Sequence, residues 1–524
     1  MESNLAKLDK KIFWPTFIIL VIVSIPCCLL PDKSAEIAGT VLSFLTHQLG
    51  WLFLWFTAGA CVTLGWLAFG KYGNVRMGGP DVRPDFSTFT WFAMLFCASF
   101  GSGLLYWSAC EWGYHFQSPA WHGIAPKSKE AGEWAVTYAM YHWGFVAWVI
   151  YCIPTLPIAY AFYNRKIPFL RLSSACSGVI GEHQHSLLGK VIDMCFMFGL
   201  IGGTAAAFGL GTPMLSEGVS RLTGIPKGFG MDVAILGFMT ILFSISVWRG
   251  LEKGIATLSN INMYLLVGLL VFVLLAGPTV YLISQFTDSL GLIVQNVAHM
   301  SLYTDPIQNG GFPQGWTIFY WGWYVALAPF VGLFTARVSK GRTIREIVVA
   351  VVIVGGLGCM AYMAVMGGTA MYFDMNNIVP FTDIMANDGA PAAIISFVQQ
   401  LPMGNLLVAI WVLCAFICLA TNVDSTAYSL AIVASTNVKE NQDPPRWHRM
   451  VWAFALTIVG IALLAMGGLK PIQTICVVTA LPLLIVISLS VVSFMRWLKE
   501  DYGELEKELR PVNEYDNGTL KKAS

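Results

Sequence analysis

Long apolar runs, separated by short polar and charged stretches, recur along the whole chain. Each run is about 20 residues or longer, which is the length an α-helix needs to cross about 30 Å of hydrocarbon. Twelve runs stand out, over 13–30, 50–70, 90–116, 134–162, 190–222, 232–249, 254–283, 314–338, 347–373, 402–434, 450–470 and 474–497. The pattern predicts an all-α membrane protein with twelve transmembrane helices and both termini on one side.

Composition agrees. Of 524 residues, 56% are hydrophobic and 12% charged, against about 25% charged in an average soluble domain. Charge distribution sets the orientation, because Lys and Arg collect in cytoplasmic loops. With the N-terminus inside, 25 of the 31 Lys and Arg fall in inside segments, and the outside loops keep only Lys33, Lys127, Lys129, Arg221, Lys227 and Lys470. The first run follows Lys7, Lys10 and Lys11 and has no small-residue cleavage pattern, so it reads as a retained span. The twelve cysteines are mostly isolated in apolar runs, which suits helix packing better than metal or redox chemistry.

Enzyme motifs are missing: there is no GxSxG, HExxH or P-loop, and "GLGTPM" at 209–214 lacks the last glycine of a dinucleotide loop. The chain is expected not to be an enzyme. Glu111, Asp193, Asp424 and a few histidines lie in or near the spans. Burying such groups is costly, so each is a functional candidate, weighed equally against a structural hydrogen bond to a neighbouring helix. Gly101 and Gly103 interrupt the third span, and Pro329 and Gly332 the eighth. Broken helices at corresponding positions mark transporters built from inverted repeats, although glycine and proline are common in membrane helices generally.

The eighth span also carries "QGWTIFYWGWYVALAP" at 314–329. In a helix Trp316, Tyr320 and Trp323 share one face, with Tyr324 beside them. The fourth span adds Trp143, Trp148 and Tyr151, and the third adds Tyr106, Trp107, Trp112 and Tyr114. An interfacial belt would explain Trp316 but not the deeper rings. A quaternary ammonium offers no hydrogen bonds, and its diffuse charge is attracted to ring faces by roughly 0.5–2 kcal/mol per ring. Packing between helices is the equal alternative for any single ring.

"GGFPQGWTIFYWGWYVALAPFVGLFTARVSKGRT", the "HWG" of the fourth span and the "GSG" of the third resemble the betaine/carnitine/choline transporter (BCCT) family over about 13–497. The resemblance implies a LeuT-like fold of two inverted five-helix repeats after two N-terminal helices. It would divide the chain into a cytoplasmic N-terminus (1–12), the two helices (13–89), a first repeat (90–283), an external connector (284–313), a second repeat (314–497) and a cytoplasmic tail (498–524). It also implies a homotrimer in the bacterial inner membrane, with no nucleic-acid partner. "YTDPIQNGGFPQGWTIFYW" and "GGLKPIQT" look most like the carnitine/γ-butyrobetaine antiporter branch. Carried across, Trp143, Trp323 and Tyr114 would form a central cage with Tyr324. Trp316 would line an outer site, and Trp107, Tyr320, Gly101 and Gly103 would complete the substrate-binding set. Tyr324 stands where the family commonly has tryptophan, and Leu327 where well-known members have an aromatic residue.

Coupling departs from the antiporter branch. That branch places an arginine in the seventh span where this chain has Asn262 in "GIATLSNINMYL". Thr421 and Asn422 match hydroxyl positions of sodium symporters, and oxygen ligands suit a hard cation. The resemblance thus implies sodium sites drawn from Cys97, Phe100, Thr421, Asn422, Thr204 and Tyr151, with sodium as coupling ion and no other cofactor. The expected function is sodium-coupled uptake of a trimethylammonium compound such as carnitine, γ-butyrobetaine or glycine betaine. Sodium-independent carnitine/γ-butyrobetaine exchange, choline transport, and a channel or receptor-like module are the alternatives.

Overall fold

The computed structural model describes residues 7–98, 101–167, 171–249, 252–436 and 444–503. The first spans are α1 (Lys10–Leu29) and α3 (Gly50–Phe69), joined by an 18-residue helix, α2 (Pro31–Gln48). The third span is split into α4 (Thr88–Ala98) and α5 (Ser102–Gln117). The fourth is split into α6 (Lys129–Trp143), α7 (Phe145–Cys152) and α8 (Thr155–Tyr163). There follow α9 (Leu187–Thr223), α10 (Phe229–Arg249), α11 (Glu252–Ala276) and α12 (Thr279–Leu302). The last spans are α13 (Thr317–Val338), α14 (Ile344–Met375), α15 (Gly404–Val433), α16 (Arg446–Met466) and α17 (Lys470–Tyr502). Strand structure among the described residues is limited to Lys7–Leu8 paired with Ser435–Thr436 and one isolated bridge.

Among the described residues eleven helices are long and apolar enough to cross a membrane, and they coincide with eleven of the twelve expected spans. The remaining expected span, 90–116, falls on the α4–α5 pair, whose helices of 11 and 16 residues are each too short to count among the eleven. Helices outside the expected spans also occur, the two longest being α2 and α12, with the shorter Phe381–Asp388 and Ala390–Gln400. Polar residues such as Asp32, Lys33 and Glu36 hide α2 from a search for apolar runs, and α12 occupies most of the connector. The seventh span ends earlier than the sequence suggests, because Gly277 and Pro278 separate α11 from α12.

The break expected at Gly101 is present: this residue is extended (φ −143°, ψ 173°) and starts α5. The break expected at Pro329 and Gly332 is not, because α13 runs unbroken past both. Proline removes one N–H, but helix neighbours in a membrane bundle can accommodate that loss. Here Gly332 packs directly on Pro154, where a Cβ would stand 3.2 Å from the ring. The chain bends instead at Trp316, between the short turn Phe312–Gly315 and α13.

Burial sorts the spans into two groups. The fourth span and α9 are each 78% buried, against 28% for α1 and 22% for the α11 span. Outer helices turn residues such as Ile22, Leu29, Val62 and Trp55 outward, as lipid-facing surfaces require. Local signals fix helix starts: Ser128 caps α6, Ser186 caps α9, and Thr343 with Glu346 forms a capping box at the start of α14.

Candidate substrate site

The inner helices enclose a cavity of about 180 Å³. That is below the roughly 300–1,000 Å³ of drug-sized pockets, so the space suits a small molecule. Six aromatic side chains line it, Trp143, Trp148, Tyr151, Trp323, Tyr324 and Phe330, and three of them pack together as one wall: Trp143 at the end of α6, and Trp323 and Tyr324 on α13. Trp323 and Tyr324 lie nearly parallel (10°, centroids 6.4 Å apart). Trp143 meets them edge-on at 6.0 and 5.8 Å. Trp323 is held by its indole N–H, which donates to the Gly203 carbonyl at 3.1 Å. Gly103 lets that ring approach α5, since a Cβ there would stand 2.8 Å from the indole.

Polar atoms reach the same space. Tyr151, Thr204, Asn422 and Thr426 line it. The Thr204 and Thr426 hydroxyls are 3.0 Å apart. The Tyr324 hydroxyl is buried and has no hydrogen-bond partner among the described residues.

Of the nine residues expected to bind substrate, Trp143, Trp323, Tyr324, Gly101 and Gly103 line the cavity, whereas Trp107, Tyr114, Trp316 and Tyr320 do not. These four form a second aromatic cluster. Trp316 lies 5.1 Å from Tyr114 and 5.7 Å from Trp107, and Tyr320 lies 5.7 Å from Trp107. Tyr114, expected in the central cage, thus belongs with Trp316. Tyr320 bridges the two sets, 5.8 Å from Trp143 and 5.9 Å from Tyr324.

The expected sodium ligands separate similarly. Tyr151, Thr204 and Asn422 face the cavity, while the Thr421 hydroxyl donates within its own helix to the Ile417 and Cys418 carbonyls. Phe100 and the Cys97 side chain lie outside the described residues. Asn262 donates to Cys418 Sγ at 3.1 Å, and its buried Oδ1 has no partner among the described residues.

Sequence reasoning passed over Thr426, although it stands one turn beyond Asn422 on the same helix face. It also passed over Leu104, Phe330, Val331 and Cys359, which also line the cavity and look like any other apolar helix residues. Glu111 stood out only as a buried acid. In the fold it joins the two aromatic sets, accepting from Trp143 Nε1 at 2.9 Å and from the Tyr320 hydroxyl at 2.6 Å.

A bundle of apolar spans around a small, ring-lined cavity defines a multi-pass membrane transport protein. The sequence model of the BCCT, betaine/carnitine/choline family transporter, matches residues 11–503, so the chain belongs to this family. It is also 34% identical over 441 residues to the uncharacterized transporter YeaV of Escherichia coli (strain K12), covering 84% of this chain and 91% of YeaV. The family consists of secondary transporters rather than enzymes, and its substrates are small quaternary ammonium compounds of the betaine, carnitine and choline type.

Proposed function

We propose that this protein is a sodium-coupled importer of a trimethylammonium carboxylate such as carnitine, γ-butyrobetaine or glycine betaine. The observation that carries the reading is the wall of Trp143, Trp323 and Tyr324 around the cavity. Three ring faces at roughly 0.5–2 kcal/mol each offset the water that a trimethylammonium group gives up. The unpartnered Tyr324 hydroxyl is the donor for the substrate's anionic end. Sodium is assigned to the oxygen atoms of Asn422, Thr204 and Tyr151 beside the cavity, with Asn262 leaving that region without a fixed positive charge.

The arrangement proposed is the LeuT-like one, with spans three to seven and eight to twelve as inverted repeats. Helices five spans apart pack against each other, as α9 does with α15 and α10 with α16, which supports a twofold relation even though α13 does not mirror the α4–α5 break. Trimeric assembly in a bacterial inner membrane with cytoplasmic termini completes the reading.

The test is uptake into proteoliposomes of labelled carnitine and glycine betaine, with γ-butyrobetaine and choline as competitors. Accumulation that follows an inward sodium gradient is the expected result. Uptake indifferent to sodium and driven only by internal substrate would overturn coupling and assign an exchanger.

A further inference from the structure

Glu111 on α5 is fully buried, accepts from two side chains and stands within hydrogen-bond distance of two imidazoles. Trp143 Nε1 and the Tyr320 hydroxyl reach Oε2 at 2.9 and 2.6 Å, while His142 Nδ1 and His115 Nε2 reach Oε1 at 2.8 and 3.1 Å. The ligand-type atoms of Glu111, His115 and His142 all lie within 4.8 Å of one another, and the separations from the carboxylate are those of hydrogen bonds. A carboxylate has about four lone-pair sites, so these four contacts can all be donated to an ionised group when His142 carries its proton on Nδ1 and His115 on Nε2. Both imidazoles serve it while neutral. In that tautomer His142 Nε2 accepts from the Thr317 hydroxyl 3.1 Å away, and His115 Nδ1 is buried with no partner among the described residues to accept a second proton's bond. Only histidines stand within ion-pair distance of Glu111 among the described residues.

A buried anion without a protein cation is costly in a membrane span, and such groups have functional partners. Between it and the cavity stands the indole of Trp143, and Tyr320 lies nearly parallel to Trp323 and Tyr324. We propose that Glu111 is the counter-charge of the transported cation, acting through Trp143 and Tyr320. Donation of the indole N–H and phenol O–H to an anion pushes electron density onto the ring faces that meet the cation. The charge itself acts through the buried rings of Trp143 and Tyr320, where Coulomb attraction is less screened than in bulk water. Holding the carboxylate one ring away supplies attraction without a hydrogen-bond acceptor. A quaternary ammonium therefore gains fully, while a primary ammonium also gives up hydrogen bonds to water that the ring faces do not replace. Glu111 is a positioning and specificity residue in this scheme, which rests on the cavity binding trimethylammonium compounds.

The test measures binding to the purified full chain of two probe pairs. They are choline against its uncharged tert-butyl isostere 3,3-dimethylbutan-1-ol, and glycine betaine against 3,3-dimethylbutyrate. The wild-type chain should prefer the trimethylammonium member of at least one pair. Glu111→Gln keeps the size and should cut that preference by about tenfold or more, leaving affinity for the isostere within about twofold. Glu111→Asp, which retains charge with a shorter reach, should keep most of the preference at lower overall affinity. Tyr320→Phe, which removes one donor and leaves every ring, should give a smaller cut in the same direction. Equal loss for both members of a pair would overturn the inference in favour of a structural role, as would an unchanged preference in Glu111→Gln. A wild-type chain that binds no trimethylammonium probe would instead overturn the reading of the cavity itself.

Discussion

Two aromatic clusters stand side by side on α5, α6 and α13, and they differ in what their rings face. Trp107, Tyr114, Trp316 and Tyr320 face each other, with Trp107 and Tyr320 completely buried. Trp143, Trp323 and Tyr324 face a cavity. The same residue types at the same helical spacing therefore yield packing in one place and a binding wall in the other. The difference comes from small residues, since Gly103 stands against Trp323 and Gly203 against Leu327, and both line the cavity where larger side chains would fill it.

Exchanging one ring from each cluster breaks this comparison most directly. Trp323→Ala removes a ring face and the bond to Gly203, and should weaken trimethylammonium binding by about 10- to 100-fold. Trp316→Ala should leave equilibrium affinity within about fivefold while slowing association, both read by stopped-flow tryptophan quenching. Equal losses would merge the two clusters into one site.

Sodium dependence gives a second contrast, between neighbours on α15. Asn422→Ala should raise the sodium concentration for half-maximal uptake by about fivefold or more, the loss of one oxygen ligand. Thr421→Ala removes a hydroxyl already bonded within its helix and should change that concentration by less than about twofold. The reverse ranking would move the ion away from the cavity wall.

Tyr324→Phe keeps the ring and deletes the unpartnered hydroxyl. Competition binding should show glycine betaine losing about fivefold relative to choline. The smallest effect lies outside the membrane, in the loop that leads into Trp316. Burial works against the charge of Asp305, but hydrogen bonds from His122 and the Gly310 amide hold its carboxyl below the usual carboxylate range. A lowered folded-state pKa stabilises above the unfolded value and is lost as pH falls through the folded one. Amide exchange in residues 303–311 should therefore accelerate below about pH 4, and Asp305→Asn should remove that dependence.

The spans were legible because apolar length reports directly on membrane crossing. The α4–α5 break was legible for a related reason: glycine supplies no side chain to hold a helix together. Pro329 misled, since whether a proline breaks a helix depends on what packs around it, here Pro154 against Gly332. The helices α2 and α12 escaped because a search for apolar length overlooks helices with a polar face. In the site, ring types and helical faces were visible, but depth across helices was not. Tyr114 and Trp143 are 29 positions apart, and no spacing rule relates them. Glu111 and Tyr320 likewise meet only through the fold, 209 residues apart in sequence.

The unbroken course of α13 also has a mechanical side. Trp316 caps the helix and Trp323 stands seven residues in, roughly 10 Å along a single rod at 1.5 Å per residue. Without a joint between them, a tilt or roll of that rod displaces both tryptophans together. The outer rings thus work as the short arm of a lever whose long arm carries the cavity wall, and whatever seats against Trp316 applies torque to Trp323.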